Sequence, residues 1–113
     1  MRFFLSSKIH NARVTHADVH YVGSITIDEE LMEKAGLKAG EKVLVVSNST
    51  GARLNTYVIA GERGSGIMGM NGGAALRIKE GEEIIVMGFE LAEEPVAPTI
   101  ILVDEANRFL KYL

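Results

Sequence analysis

The chain of 113 residues contains no cysteine and no tryptophan, and it has only two prolines. Without cysteine it can form neither a disulfide framework nor a thiolate nucleophile nor a zinc–thiolate site. No apolar run approaches the roughly 20 residues of a membrane-spanning helix, and Phe3–Leu5 is too short for a signal-peptide core. The formal net charge is -3, so there is no basic excess for nucleic acid. These absences predict a cytoplasmic protein that binds neither nucleic acid nor membrane.

The length and the overall composition, with 47% hydrophobic and 24% charged residues, are typical of one small globular domain spanning residues 1–113. Alternation of apolar and polar residues predicts many short strands, which favours a compact β-barrel. The predicted strands are Phe3–Ile9 (with Ala12–Thr15 extending it or forming a second strand), Val19–Ile27, Lys42–Asn48, Arg53–Ala60, Glu83–Leu91 and Thr99–Val103. One short helix is predicted between Asp28, a good N-cap, and Gly36, a good stop.

The bond between Gly23 and Ser24 points most directly to chemistry. Gly23 has no side chain to shield its carbonyl, and glycine tolerates strained backbone angles. The hydroxyl of Ser24 follows one residue later, where it can attack that carbonyl. Self-cleavage at this bond would turn Ser24 into a ketone. The alternative is an ordinary turn or bulge, which is the commoner setting for a Gly–Ser pair.

Two predicted strands carry polar pairs on one face. Lys8 and His10 alternate with apolar residues, so a cation and an imidazole lie side by side. Arg53 and Tyr57 share a face of a later strand, and Thr56 lies on the opposite face. Arginine can hold a carboxylate through two parallel hydrogen bonds, and tyrosine can donate a proton. A solvated strand face is the alternative for both pairs.

A glycine pair follows Asn71 and precedes a possible second short helix. Gly72 and Gly73 would expose backbone N–H groups, and Ala74 would begin the helix. Such a loop can bind an anion, including a carboxylate. A bare glycine loop is a weak signal when it stands alone.

In combination these segments resemble the pyruvoyl-dependent aspartate 1-decarboxylases. The matching segments run in order through the first 75 residues: Lys8–His10, Val14–Ser24, Thr56–Tyr57, Ala60–Ser65 and Asn71–Ala75. Beyond Leu76 the resemblance is one of pattern only. Gly73 departs from the family, which often has alanine there.

This resemblance implies a mainly β fold, a small double-psi β-barrel with one or two short helices. It implies a homotetramer with active sites between subunits, and autocatalytic cleavage of a zymogen into chains 1–23 and 24–113. Ser24 would become a pyruvoyl cofactor that forms a Schiff base with L-aspartate. The products would be β-alanine and carbon dioxide, and the reaction would serve pantothenate biosynthesis.

The resemblance also implies roles for individual residues. Tyr57 would be the proton donor, and Thr56 is our candidate for stabilising the oxyanion during cleavage. The implied substrate-binding residues are Thr56, Gly72, Gly73, Ala74, Arg53, Lys8, His10 and Asn71. Whether cleavage is spontaneous or requires a maturation factor stays open.

Two other interpretations remain at this point. The first is a non-enzymatic β-barrel binding module whose chain stays uncleaved. The second is a metal site on His16, Asp18 and His20, which recur at every second position. We favour a polar strand face or turn for these three residues and predict no metal.

Overall fold

The computed structural model describes all residues, 1–113, as one mixed sheet of nine strands with two short helices. The elements in chain order are β1 (Arg2–Arg13), β2 (His16–Asp18), β3 (Ser24–Asp28), α1 (Glu29–Ala35), β4 (Lys42–Ser47), β5 (Arg53–Gly61), β6 (Met68–Asn71), α2 (Ala74–Arg77), β7 (Glu83–Ala92), β8 (Thr99–Val103) and β9 (Phe109–Tyr112). Neither helix is long and apolar enough to cross a membrane.

The sheet has the strand order β2-β6-β3-β5-β4-β7-β1-β8-β9. Three pairs are parallel and need crossover connections, namely β1 with β8, β2 with β6, and β3 with β5. A single core cluster of 20 buried apolar residues includes Met70 near one end of this order and Val103 near the other. The sheet therefore curls around its core. The prediction of a mainly β chain, a small double-psi β-barrel with one or two short helices, is confirmed.

Strand β1 is continuous but bulged. Ile9 lies opposite Val86 and Ala12 lies opposite Ile84, so the two residues between them face a single residue of β7. Asn11 takes the extra position with φ 68°, a left-handed conformation that asparagine tolerates better than most residues. Bulges of this kind re-aim neighbouring side chains.

Helix α1 begins and ends as the sequence predicts. The Asp28 carboxylate caps the helix, because its Oδ1 accepts a hydrogen bond from the N–H of Glu30 at 2.9 Å. Gly36 ends the helix with φ 78°. Asp28 also accepts hydrogen bonds from the N–H groups of Gly64 and Gly66 at 2.9 and 2.8 Å. One buried carboxylate thus joins the start of α1 to the glycine-rich loop before β6.

The same loop makes an ion pair with the exposed side of α1. Arg63 donates to Glu33 at 2.8 Å and lies 3.7 Å from Glu29. The hydrogen bond to Glu33 raises the pKa of Arg63 above its ordinary value. Because these groups are exposed, the pair contributes little to stability.

The predicted strand Val19–Ile27 is wrong in its first half. β3 begins only at Ser24, and residues 19–23 form an exposed turn without a strand partner. Alternating residue types in the turn imitate a strand, but only Ser24 onward lies between β5 and β6. The sequence also left unassigned β6, inside the glycine-rich segment, and β9, at the end of the chain.

Candidate active site

Ser24 lies at the junction between the exposed turn and β3. Its side chain is buried, with the residue 1% exposed. Its hydroxyl donates to the carbonyl of Val22 at 3.4 Å and accepts from the Nδ2 of Asn71 at 2.8 Å. The same Nδ2 donates to Thr26 at 2.9 Å. Antiparallel pairing places Ser24 directly opposite Asn71, so the sheet itself fixes the position of the hydroxyl.

Gly72 packs directly against the backbone of Gly23. It has φ 69°, and a Cβ atom there would lie 2.8 Å from the Cα of Gly23 and 2.9 Å from its nitrogen. Only glycine fits such an approach without moving the backbone. The N–H of Gly72 donates to the carbonyl of Asp18 at 2.8 Å. This N–H is therefore already occupied within the chain.

Gly73 differs from Gly72 in both respects. Its N–H has no acceptor within the chain, and a Cβ atom at this position would meet no atom within 4 Å. The free donor of this loop is therefore the N–H of Gly73, and the position has room for the alanine that the resemblance led us to expect.

A cavity of about 320 Å³ opens beside the Gly23–Ser24 bond. Its walls are formed by Gly23, Leu54, Asn55, Thr56, Asn71, Gly73, Ala74 and Arg77. This volume lies at the low end of the range for small-molecule sites. The Thr56 hydroxyl has no hydrogen-bond partner within the chain, so it is free to donate into this space. No acidic side chain lines the cavity.

The structure does not bring Lys8 and His10 to this cavity within one chain. Both lie on β1, and β5, β4 and β7 separate that strand from β3 in the sheet. Both side chains are half-buried. The Nδ1 atom of His10 is buried without a hydrogen-bond partner, which is unusual for a buried polar atom.

Arg53 and Tyr57 occupy β5 next to Thr56. Arg53 lies opposite Val46 and Tyr57 opposite Lys42, and exposure alternates along the strand, with Tyr57 40% exposed. They therefore share one face, and Thr56 lies on the other. Neither side chain lines the cavity.

The three polar residues around β2 form no metal cluster. The Oδ1 atom of Asp18 accepts from the backbone N–H of His20 at 2.9 Å. The Nδ1 of His16 is hydrogen-bonded to the Thr15 hydroxyl at 2.8 Å. The structure contains no group of three or more side chains placed to hold a metal ion. The metal interpretation therefore gains no support from the geometry.

Sequence reasoning missed three residues of the cavity wall, Leu54, Asn55 and Arg77. Asn55 and Leu54 precede Thr56 on β5, and nothing in the strand pattern distinguishes them. Arg77 had a usable signal. It follows Gly73 by four residues, and one helical turn returns a side chain to the face from which the helix began.

Several apolar side chains lie exposed on the outside of the barrel. Phe3, Leu91 and Phe89 are 73%, 49% and 40% exposed. Phe3 and Phe89 also line a second cavity of about 280 Å³, whose other walls include Leu44 and Val43.

Comparison with known proteins gives a family. A model of the aspartate decarboxylase family matches residues 1–110. An aspartate 1-decarboxylase of Bacillus pumilus is 46% identical over 111 residues, covering 95% of this chain and 87% of that protein. One of Exiguobacterium sibiricum is 44% identical, covering 100% and 92%. One of Bacillus velezensis is 41% identical, covering 99% and 91%.

Among solved structures, a crystal structure of the computationally designed protein msDPBB_sym2 is similar, with a TM-score of 0.46 and 20% sequence identity. The alignment covers 77% of this chain and 99% of the designed one.

The family model and the three aspartate 1-decarboxylases identify an enzyme of the carboxy-lyase class. The chain belongs to the aspartate decarboxylase family. The family predicted from the sequence is therefore confirmed, and the interpretation as a non-enzymatic binding module is not favoured.

Proposed function

We propose that this chain decarboxylates L-aspartate to β-alanine and carbon dioxide with a pyruvoyl group that it makes from its own Ser24. One observation carries the proposal. The Gly23–Ser24 bond borders a small cavity, and Asn71 holds the Ser24 hydroxyl at 2.8 Å. The relatives named aspartate 1-decarboxylase supply the substrate. A cytoplasmic location and a role in pantothenate biosynthesis stay predictions.

The cleavage begins when the Ser24 Oγ attacks the Gly23 carbonyl carbon. The peptide C–N bond breaks, the hydroxyl proton passes to the Ser24 nitrogen, and an ester forms. Loss of the Ser24 Cα proton then expels Gly23 as a carboxylate and leaves dehydroalanine. Water adds to the imine form of this residue, and ammonia departs. The products are chain 1–23 and a chain 24–113 that begins with a ketone.

The residues around Ser24 suit this reaction. Asn71 orients the hydroxyl, and Thr56 is free to donate to the oxyanion that forms on the Gly23 carbonyl. The hydrogen-bond partners of the Ser24 hydroxyl are a carbonyl and an amide, neither of which is a base. We therefore expect unassisted cleavage to be slow, which leaves room for a maturation factor.

The residues present fit a pyruvoyl group at position 24, because the wall of the cavity beside it offers the Thr56 hydroxyl and the free N–H of Gly73 as hydrogen-bond donors. Once formed, this group supplies a ketone that accepts the electron pair left by carbon dioxide. Thr56, Ala74 and Gly73 line the space for the substrate. Gly72 acts through its support of Gly23, since its own N–H is occupied. Tyr57 is the proposed proton donor.

A second copy of the chain completes this site in our proposal. Lys8, His10, Arg53 and Tyr57 lie outside the cavity of their own chain. The exposed apolar residues Phe3, Phe89 and Leu91 provide a face for association. The homotetramer with active sites between subunits remains the proposed assembly, and native mass spectrometry would measure its stoichiometry.

The experiment that tests the cleavage is an intact mass spectrum of the denatured protein. We expect a species for 1–23 and a species for 24–113 that is lighter by one ammonia than the encoded fragment. The control, Ser24→Ala, should give one uncut chain and no β-alanine. A cleaved and active Ser24→Ala protein, or wild-type protein that is uncut yet active, would contradict the proposal.

Co-expression tests the shared site. Ser24→Ala subunits can supply Lys8 but not the cofactor, and Lys8→Ala subunits can supply the cofactor but not Lys8. We expect each variant alone to be inactive and mixed assemblies to recover part of the activity. If the mixtures stay as inactive as the separate variants, Lys8 does not act across a subunit boundary.

A further inference from the structure

Thr26 follows Ser24 by two residues on β3, so the two hydroxyls lie on one face of the strand. The residues that alternate with them, Ile25 and Ile27, are fully buried in the core, whereas Thr26 is half-buried. The Oγ1 of Thr26 accepts a hydrogen bond from the Nδ2 of Asn71 at 2.9 Å, and its side chain makes no other hydrogen bond. The Thr26 hydroxyl therefore has a single partner, which is also a partner of Ser24.

Packing restricts the Thr26 side chain to one direction. Its Cγ2 methyl lies so close to Gly61 that a Cβ atom there would be 2.9 Å from the methyl. Threonine is stiff about χ1, so a fixed methyl also fixes the hydroxyl. A Cβ atom at Gly69, the residue paired with Thr26, would lie 3.5 Å from the Cβ of Thr26 and 3.9 Å from the Oδ1 of Asn71. The Asn71 amide thus extends over Gly69 to a hydroxyl whose position is set.

The amide nitrogen of Asn71 uses both of its N–H bonds, one toward Ser24 at 2.8 Å and one toward Thr26 at 2.9 Å. Two hydrogen bonds fix the plane of the amide, and one alone would let it rotate about the Cβ–Cγ bond. The Ser24 Oγ accepts from Asn71 with one lone pair and directs its proton to the carbonyl of Val22. Its second lone pair is left for the attack on the Gly23 carbonyl.

We propose that Thr26 is a positioning residue for self-cleavage, because its hydroxyl holds the Asn71 amide in the orientation that fixes the Ser24 Oγ for attack. This inference rests on the proposed function. Thr26 does not line the cavity, and its hydroxyl bonds only Asn71, so it acts through that residue. The Ser24 Oγ leaves with the Gly23 carboxylate, and the role described here therefore belongs to maturation.

The test measures how fast the 24–113 chain appears, by intact mass spectra of samples taken after a pulse of synthesis. Thr26→Val removes the hydroxyl and keeps a methyl against Gly61, and Thr26→Ser differs from Thr26→Ala by the hydroxyl alone. Thr99→Val is the matched control, because Thr99 is another half-buried strand threonine and its side chain makes no hydrogen bond. Melting temperatures in a Ser24→Ala background show whether each variant folds.

We expect Thr26→Val to be cut about threefold to tenfold more slowly than the wild type, which is the loss expected for one hydrogen bond. Thr26→Ser should be cut faster than Thr26→Ala by a similar factor, and the control should match the wild type. The decisive comparison uses Asn71→Ala. Because Thr26 acts through Asn71, Thr26→Val should slow cleavage no further in a chain that already carries Asn71→Ala.

The outcomes separate this inference from the proposed function. Wild type that is never cut overturns the proposed function. If the wild type is cut, and removal of the hydroxyl slows neither pair of variants, the inference alone is wrong. It is also wrong if Thr26→Val slows cleavage by the same factor with and without Asn71→Ala. If Asn71→Ala is not cut at all, or Thr26→Val does not fold, the comparison of Thr26→Ser with Thr26→Ala decides.

Discussion

Replacing Gly72 by alanine should disturb both folding and cleavage, because the backbone of Gly72 lies so close to the backbone of Gly23 that no side chain fits between them. Alanine at φ 69° costs about 1–2 kcal/mol. The added Cβ would lie 2.8 Å from the Cα of Gly23 and 3.1 Å from the carbonyl oxygen of Tyr21. Both are backbone atoms, so relief requires movement of the chain, at a cost of about 1–3 kcal/mol.

Together these costs amount to about 2–5 kcal/mol, and we expect the melting temperature to fall by about 8–20 °C for a loss of this size. The displaced Gly23 carbonyl should react with Ser24 about 10–100-fold more slowly, since a small misplacement of reacting atoms costs that much. Stability is best compared in a Ser24→Ala background, where all chains stay uncut. Cleavage is followed in the Ser24 background as the fraction of 24–113 chain in mass spectra taken over time.

Gly73→Ala is the matched control. Gly73 has φ -57°, and no atom lies within 4 Å of the added Cβ. This variant should cleave normally and gain about 0.4–1 kcal/mol from the stiffer unfolded chain. Equal cleavage rates and melting temperatures for Gly72→Ala and the wild type would refute the reasoning.

Four further expectations concern single groups. Asn71→Ala should slow cleavage and lower the free energy of unfolding by about 1–3 kcal/mol, because two hydroxyls lose their donor; unchanged mass-spectral kinetics would contradict this. Tyr57→Phe should be cut normally but form little β-alanine, and full turnover would place the proton donor elsewhere. Asp28→Ala should lower the free energy of unfolding by about 3 kcal/mol in urea titrations, because the N–H groups of Glu30, Gly64 and Gly66 lose their acceptor. A loss below about 1 kcal/mol would contradict the proposal that this carboxylate links helix α1 to the glycine-rich loop. Activity should survive a chelator, and its loss would revive the metal site at His16, Asp18 and His20.

Much of the fold could be read from local pattern. Strand β8 was predicted with its observed bounds, Thr99–Val103, because a short apolar run between turn signals has few other solutions. Helix α1 was equally predictable, since Asp28 and Gly36 are local caps. Val19–Gly23 was not, because its alternation resembles a strand and only the missing partner makes it a turn. β6 was hidden by glycines whose role, as at Gly72, is close approach of backbones.

In the candidate site, too, the features set by local sequence could be predicted and those set by long-range contacts could not. Thr56, Asn71 and Gly73 meet beside Gly23 in the structure, and their segments had been singled out in the sequence. The occupied N–H of Gly72 depends on the carbonyl of Asp18, a long-range contact that no local pattern encodes. The separation of β1 from β3 likewise follows from strand order, which sequence spacing does not reveal.

The position of β1 has a consequence for the cut protein. Residues 1–23 carry β1, which pairs with β7 on one side and β8 on the other. After cleavage this peptide would remain bound as a non-covalent subunit of the barrel. The two pieces, made separately, should reassemble into the native fold. A piece 24–113 made this way begins with a serine amine, so the reassembled barrel would have the architecture of the enzyme without its electrophile.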